Sequence, residues 1–529
     1  MTQRRQSFLS GAAVLAGAVA VTKVLGALYK IPLGNLLDSR GMAHFYAAYN
    51  VYNLLLMLST AGLPLAASRL VARSCALGQG RQARRVFHTA LLLLGVTGLV
   101  FSAVMFFFPE AIAGLLHDSA AAGVIRVLSP SVLCVCLVSA IRGYTQGMGD
   151  MTPTAGSQII ESACKLVIGL GLCAFLLHGG ASPETGAAGA IAGVTCGSVL
   201  GLLFLLWTLR RCGGGSGSGS GVPEGWGDTA RQLLRIGIPI TLAGGGMSLM
   251  TLLDQALVLG TLQSTLGLSA DAATELYGQY TFGMTLFVLP PSFIYPLSVS
   301  LIPAITQARA RHDENAATRL TASALRITAL LAFPMGAGLT VLAGPILHLL
   351  YPAVPETAEA AAYHLTVLGI ASIFVCLMVA TNGILQAHGR ERVPIWTLLC
   401  GGALKIVTNY LMVGNPDMGI RGAPVGTLYS YALIVVLNMI AVYRCLNGQV
   451  DFFRCLWRPA LCAAVMALGA RSVFSLLSGH VSQNLATVTA IALAVLVYAV
   501  LALALGAVTS DDLKHFPNGQ KWAQRLHLR

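Results

Sequence analysis

The amino-acid sequence predicts an all-α membrane protein of fourteen transmembrane helices, arranged as two parallel six-helix lobes with two extra helices at the C-terminal end. Three observations predict it. Hydrophobic residues make up 56% and charged residues 10% of the 529-residue chain, against the roughly 25% charged content of a soluble domain. Apolar stretches of about 20 residues, enough to cross a hydrocarbon core of about 30 Å, recur fourteen times. The chain also repeats itself without gaps at two offsets. RGYTQGMGD from Arg142 matches NGILQAHGR from Asn382, 240 residues on, with Gly143/Gly383, Gln146/Gln386 and Gly149/Gly389 identical and the register holding through to Lys165/Lys405. At an offset of 231, FYAAYNVYNLLLMLS from Phe45 matches LYGQYTFGMTLFVLP from Leu276 and keeps Tyr46/Tyr277, Tyr49/Tyr280, Leu55/Leu286 and Leu58/Leu289.

In order, the spans fall near 8–34, 43–74, 86–108, 121–147, 153–177, 186–209, 232–262, 276–307, 320–343, 361–387, 394–414, 422–445, 456–477 and 485–508. The first follows Arg4 and Arg5 and superficially resembles a secretory leader. Its apolar run, however, continues past Lys23 as a full span, and the repeat needs it as counterpart of the helix beginning near Leu233. Spans one to six make an N-terminal lobe over 1–211. Cys212 to Gly227, CGGGSGSGSGVPEGWG, is a flexible Gly/Ser coil within a linker at 212–229. Spans seven to twelve make a second lobe over 230–447. Spans thirteen and fourteen, with a basic tail, occupy 448–529 outside the duplication, as a lipid-facing buttress or a groove for a lipid tail. Six spans return the chain to its starting side, so the repeats are parallel rather than inverted, and they imply a cavity between the lobes.

The net charge of +13 raises nucleic acid as a partner, and the positions of the basic residues exclude it. With the N-terminus in the cytoplasm, 25 of the 33 lysines and arginines fall at cytoplasmic ends and loops, Arg142, Arg326, Arg454 and Arg458 among them. Only Arg40, Arg126, Arg421 and Arg471 fall on the opposite side, and Lys23, Lys30, Lys165 and Lys405 lie in or near spans. That is a positive-inside distribution. It places both termini in the cytoplasm and requires an even number of spans.

There is no phosphate-binding loop ending in Lys-Ser/Thr, no HExxH and no nucleophile elbow, and the twelve cysteines lack metal-ligand spacing. No catalytic residue, metal or cofactor is expected. Transport would draw on an ion gradient (H+ or Na+), the membrane potential or substrate supply.

An ionisable residue at membrane depth costs several kcal/mol unless it faces a cavity or a partner, which makes each a functional candidate. Lys23 and Lys30 are seven residues apart and share a face of span one, with Gly26 and Ala27 between them. Tyr46, Tyr49, Asn50 and Asn53 form one polar stripe on span two, suited to gluing helices or to lining a wet cavity. The repeat offers Tyr277, Tyr280 and Thr281 in the other lobe. Gln158, Glu161 and Lys165 share a face of span five, where Glu161 and Lys165 are spaced as an i,i+4 ion pair. Lys405 has Gly401 in place of that acid. Asp254 lies mid-span beside Gln255, and the 231-residue offset maps Lys23 onto it. Lys23, Lys30, Tyr46, Tyr49, Asn50, Asn53, Lys165 and Lys405 are therefore the candidate substrate-binding residues, with Asp254 and Glu161 as coupling residues. Helix-weakening residues cluster at Pro64, at Gly237, Pro239 and Gly244 to Gly246, and at Pro290, Pro291, Pro296 and Pro303, where kinks have a definite cause.

TKVLGALYKIPLGNLL (22–37) followed by FYAAYNVYNLLLMLSTAGLPLAASRLVA (45–72) resembles the stage V sporulation protein B and polysaccharide biosynthesis branch of the multidrug/oligosaccharidyl-lipid/polysaccharide (MOP) exporter superfamily. IGIPITLAGGGMSLMTLLDQALV (236–258) and LPPSFIYPLSVSLIPAIT (289–306) are similar to that branch's seventh and eighth helices. The related MurJ-type lipid II flippases share the beginning of span one, where Lys23 fits a basic position of their motif, and Lys30 matches one of the sporulation branch. Where the MurJ type carries an arginine late in span two, this chain has LLMLSTAGLP. The resemblance implies a MATE-like fold in the bacterial plasma membrane. It implies a flippase that moves a polyprenyl-linked anionic glycolipid, such as a peptidoglycan or other polysaccharide precursor, from the inner to the outer leaflet by alternating access. Its partners would be that lipid, the bilayer and cell-wall synthesis proteins. Two other classes compete. A drug/cation antiporter of the same fold calls for acidic and aromatic cavity residues, and here intramembrane lysines outnumber carboxylates four to two, counting Glu161 and Asp254. A non-transporting cell-wall scaffold would tolerate loss of the lysines.

Overall fold

The computed structural model describes residues 8–60, 62–212, 223–446 and 448–507. Arg4 and Arg5, linker residues 213–222 and the basic tail with Lys514, Lys521, Arg525 and Arg529 lie outside the described residues. Two compact units are formed, Met1–Gly278 and Gln279–Arg529. Among the described residues all regular structure is helical.

The first unit runs through α1 (Phe8–Leu36), α2 (Ser39–Thr60), α3 (Leu63–Ala76), α4 (Gly80–Phe107), a short α5 (Pro109–Leu115), a 3-10 turn (Ser119–Ala121) and α6 (Ala122–Gly147). It continues with α7 (Thr152–Cys164), a π-turn (Lys165–Gly169), α8 (Leu170–His178), α9 (Pro183–Cys212), α10 (Trp226–Ser264) and the start of α11 (Ala270–Phe287). The second unit takes the rest of α11, then α12 (Leu289–Ala310), α13 (Glu314–Val341), a short α14 (Ala343–Leu350), α15 (Pro355–Ala387), α16 (Arg392–Val413) and α17 (Gly422–Cys445). It ends with α18 (Phe452–Leu477) and α19 (Gln483–Ala504). Eleven helical stretches among the described residues are long and apolar enough to cross a membrane. The other predicted spans coincide with α1, α10 and the α11–α12 pair.

The proline positions explain where long apolar runs break. Span two divides after Thr60, with Pro64 in the first turn of α3. Its repeat, span eight, divides at Val288, with Pro290 and Pro291 opening α12. A proline lacks the amide proton of an interior turn but fits the first turn of a helix, so both spans restart there. Pro239 and Gly244 to Gly246, by contrast, lie within one continuous α10.

Matching glycines end α6 and α15. Gly149 and Gly389 both adopt left-handed backbone, with φ of +85° and +72°. Around the first, the amide of Gly149 donates to the carbonyl of Gln146 and that of Asp150 to Thr145. Around the second, Gly389 donates to Gln386 and Arg390 to Leu385. The pairs close the helix in the same way, a C-terminal turn for which glycine is the default residue. The repeat in the sequence is thus a repeat in local geometry within each unit.

Helix α9 carries Gly189, Gly193, Gly197 and Gly201 at four-residue spacing, one face of a helix. Their Cα positions let α9 lie on the backbone of span five. A methyl at Gly189 would stand 3.2 Å from the Cys173 amide of α8, and one at Gly197 would stand 2.9 Å from the Glu161 carbonyl of α7. A methyl at Gly193 would collide with Gly169 of the π-turn. Between membrane helices such small-residue stripes permit the close backbone contact that drives association. Gly193→Ala is expected to destabilise the first unit by about 1–3 kcal/mol, the usual cost of overpacking, read as a lowered midpoint of thermal unfolding in detergent. Gly171→Ala, whose methyl meets nothing within 4 Å, is the matched control.

In the second unit, α18 and α19 pack on α13 and α14 through Leu342, Met466, Ala467, Ala470, Ala490 and Ala494. The two helices outside the duplication therefore buttress this unit.

Candidate functional site

Helix α1 places Lys23 and Lys30 two turns apart, and Lys30 turns inward to a partner. Its Nζ donates to the Tyr46 hydroxyl of α2 at 3.1 Å and lies 5.0 Å from the centre of that ring, within the range of a cation–π contact. Lys23 is exposed. Tyr49, one turn further along α2, stands within electrostatic reach of Lys165, Lys30 and Lys23 together, and Lys30 and Lys165 are within reach of each other. Phe45 orients both rings, stacking on Tyr49 at 5.6 Å and 13° and meeting Tyr46 edge-on at 5.7 Å. Lys30 thus touches the tyrosine face of α2 directly, and Lys165 and Lys23 act on its Tyr49 through their charge.

Lys165 is the first residue of the π-turn. Such turns recur at functional sites because the extra residue shifts the side chains that follow around the helix. Lys405, its repeat partner, sits in the uninterrupted α16.

The i,i+4 pair expected between Glu161 and Lys165 does not form. Glu161 instead accepts from Arg142 Nη2 of α6 at 2.8 Å, and the Arg142 Nε donates to Ser157 Oγ at 2.9 Å. Both side chains of the ion pair are mostly buried, 15% and 16% exposed. The fork of a guanidinium matches a carboxylate better than an ammonium does. Among the described residues no ion pair engages Lys165, which leaves its charge directed at Tyr49 and Tyr52. Arg142, expected only as one of the cytoplasmic cations, is a structural partner inside the unit. Breaking a buried pair on one side strands a charge at a cost of about 3–5 kcal/mol. Arg142→Gln and Glu161→Gln are each expected to lower stability by about that amount, and the double variant by clearly less than their sum, in a double-mutant cycle of thermal or denaturant unfolding.

The polar stripe of α2 has two uses. Tyr46 and Tyr49 face the lysines. Asn50 is buried and donates to Gln255 Oε1 of α10 at 2.8 Å, tying the two helices together. Asn53 is half-buried. Gln255 Nε2 and Gln158 Oε1 are buried polar atoms without a hydrogen-bond partner among the described residues, so capacity for hydrogen bonding remains on α10 and α7. Asp254 is buried, 5% exposed, and engaged in a contact of its own.

In the second unit the repeat does not offer the same tyrosine face. Tyr280 is fully buried, with its hydroxyl 3.3 Å from Thr427 Oγ1, and Thr281 is 1% exposed. Lys405, which lacks a local acid in the sequence, is half-buried and has a partner. Gly401 takes the place of Glu161 for a steric reason: a side chain there would collide with Ile434, and its carbonyl accepts from Ser430 Oγ at 2.7 Å. Asn382 replaces Arg142 and accepts from Asn438 Nδ2 at 2.8 Å. The Arg142–Glu161 pair of one unit is thus replaced on both sides by neutral residues in the other. The pairing was legible in the 240-residue match, where the two mismatches fall together. Tyr52, three residues after Tyr49, was also legible by spacing.

The model of the polysaccharide biosynthesis protein family matches residues 8–309, and the MatE model matches 239–411. Three proteins of Bacillus subtilis (strain 168) are similar along most of their length. The uncharacterized membrane protein YabM is 26% identical, covering 99% of this chain and 98% of its own, and stage V sporulation protein B is 24% identical, covering 97% and 98%. The lipid II flippase MurJ is 25% identical over 82% of each chain. A solved structure of lipid II flippase MurJ in an inward closed conformation superposes with a TM-score of 0.70 at 12% identity, covering 94% of this chain and 98% of that one, a likeness of fold.

Proposed function

Because the chain belongs to the polysaccharide biosynthesis protein family of the MOP exporter superfamily, and so is a multi-pass membrane transporter, we propose that it is a flippase for a polyprenyl-pyrophosphate-linked sugar. The lipid would pass from the inner to the outer leaflet of a bacterial plasma membrane by alternating access, with both termini in the cytoplasm. The observation that supports this reading is the Lys30–Tyr46 hydrogen bond, one turn from a Tyr49 that lies within electrostatic reach of Lys165, Lys30 and Lys23. A pyrophosphate bears several acceptor oxygens and negative charges, and ammonium groups are compact donors to phosphate. The tyrosine hydroxyls add neutral donors. A cationic drug would be repelled by such a site.

The tail has a place as well. In the second unit an apolar cavity of about 450 Å³ opens between α12, α13, α18 and α19, lined by Phe293, Leu331, Pro334, Met466, Ile491 and Tyr498 among others. It suits part of a polyprenyl chain, which gains about 0.8 kcal/mol per CH2 from staying out of water. The sugar headgroup would cross through the protein while the tail remains in apolar surroundings. The drive would be an H+ or Na+ gradient or the membrane potential, with Asp254 as the coupling group and no cofactor.

Leaflet-resolved measurement of lipid-linked precursors after depletion of the protein tests the reading. Precursor is expected to collect in the inner leaflet and fall in the outer. Normal outer-leaflet precursor together with drug hypersensitivity would instead establish the antiporter.

A further inference from the structure

At one end of α18 the second unit holds a cleft of about 430 Å³ lined by Arg326 of α13, Arg454, Trp457, Arg458 and Pro459 of α18, and Gly506 and Ala507 after α19. Three of these seven lining residues are arginines, Arg326 with a contact of its own, and none of the described residues lining the cleft is a carboxylate. We propose that this cleft binds the phosphoryl headgroup of an anionic membrane phospholipid.

The guanidinium of Arg458, one of the lining residues, is held in place. Its Nη1 donates to the Gly506 carbonyl at 2.8 Å, and its centre lies 5.6 Å from the Trp457 ring. Gly506 closes α19 in left-handed backbone, φ +60°, which sets that carbonyl toward Arg458. One Nη is thereby occupied, and the remaining donors of the planar fork keep a fixed direction, the arrangement that recognises phosphate. The nearest described acid in sequence, Asp451, caps α18 by accepting the Arg454 amide at 3.1 Å and meets the Arg454 Nε at 3.2 Å. The Arg454 side chain is 84% exposed, and an ion pair so exposed is worth little against a phosphate.

The surroundings favour a lipid over a soluble anion. Phe453 and Trp457 stack at 6.3 Å and 11° on the outer surface of α18 and are exposed, Phe453 at 74%. Aromatic residues in such a position form the belt that sits at headgroup level, so the arginines beside them lie at the depth of lipid phosphates. The same end of α18 is the one that the arginine distribution assigns to the cytoplasm. Basic pockets between transmembrane helices on that face are suited to anionic headgroups. The cleft lies wholly in the second unit and shares no residue with the lysine site, so its failure would leave the flippase reading standing.

The test uses the full-length protein in neutral detergent, with bound lipid measured by native mass spectrometry and by thermal shift. Phosphatidylglycerol is expected to bind and to raise the unfolding midpoint, whereas phosphatidylcholine and millimolar inorganic phosphate are not. Arg454→Gln is expected to weaken phosphatidylglycerol binding about fivefold, the effect of one basic group near a charged surface. Arg458→Lys, which keeps the charge, is expected to weaken it through loss of the fork. Equal binding of phosphatidylcholine overturns the proposal, as does unchanged phosphatidylglycerol binding in both variants. Inorganic phosphate that matches phosphatidylglycerol overturns the assignment to a lipid.

Discussion

Replacing Lys30 with alanine is expected to lower the rate at which lipid-linked precursor reaches the outer leaflet by roughly ten- to a hundredfold, the equivalent of one lost charge-assisted hydrogen bond of about 1.5–3 kcal/mol. Lys30 is the cation whose position is best defined, since its ammonium is anchored on Tyr46 at 3.1 Å. A pyrophosphate arriving there would exchange a neutral acceptor for an anionic one. Tyr46→Phe removes only the anchor and is expected to cost less. Lys165→Ala is expected to act in the same direction as Lys30→Ala, because both charges bear on Tyr49. Unchanged outer-leaflet precursor in cells that depend on the Lys30→Ala variant at normal abundance would remove the site from the pathway.

Asp254→Asn is expected to uncouple transport from the membrane potential or ion gradient. A single charge carried across the field is worth about 2.3 kcal/mol per 100 mV, so a fully coupled carrier changes the concentration ratio it can sustain about fiftyfold over that interval. Asp254 is buried on α10, beside the Gln255 that binds Asn50 of α2. A change in its charge can therefore be transmitted to the helix that carries the tyrosines. Transport measured in proteoliposomes at several imposed potentials decides the matter: a flat response in the variant supports coupling through Asp254, and a response like that of the unaltered protein sinks it.

The helices were legible because the bilayer imposes a length and an apolar composition on each span. The breaks at Pro64 and at Pro290 and Pro291 followed from proline chemistry, and the turn at Gly149 and Gly389 from the repeat. The partner of Glu161 was not legible from helix periodicity, which sees neighbours along one helix and therefore chose Lys165. The pair that forms joins α6 to α7, and only the joint mismatch of Arg142/Asn382 and Glu161/Gly401 carried that information. The glycine stripe of α9 was likewise present in the sequence at four-residue spacing. Its consequence, close contact with the π-turn that presents Lys165, needed the helix on the other side. The π-turn itself leaves no mark in residue type, and neither do the short helices α5 and α14.

The central claim is that the lysines around Tyr49 carry an anionic lipid headgroup across the membrane. It is tested most directly by purified protein in proteoliposomes containing a fluorescent polyprenyl-pyrophosphate sugar, with a membrane-impermeant quencher reporting the leaflet. The protein is expected to make the inner-leaflet pool accessible, with Lys30→Ala/Lys165→Ala reconstituted at equal amount leaving it protected. Equal accessibility with the protein and with the double variant would contradict the claim.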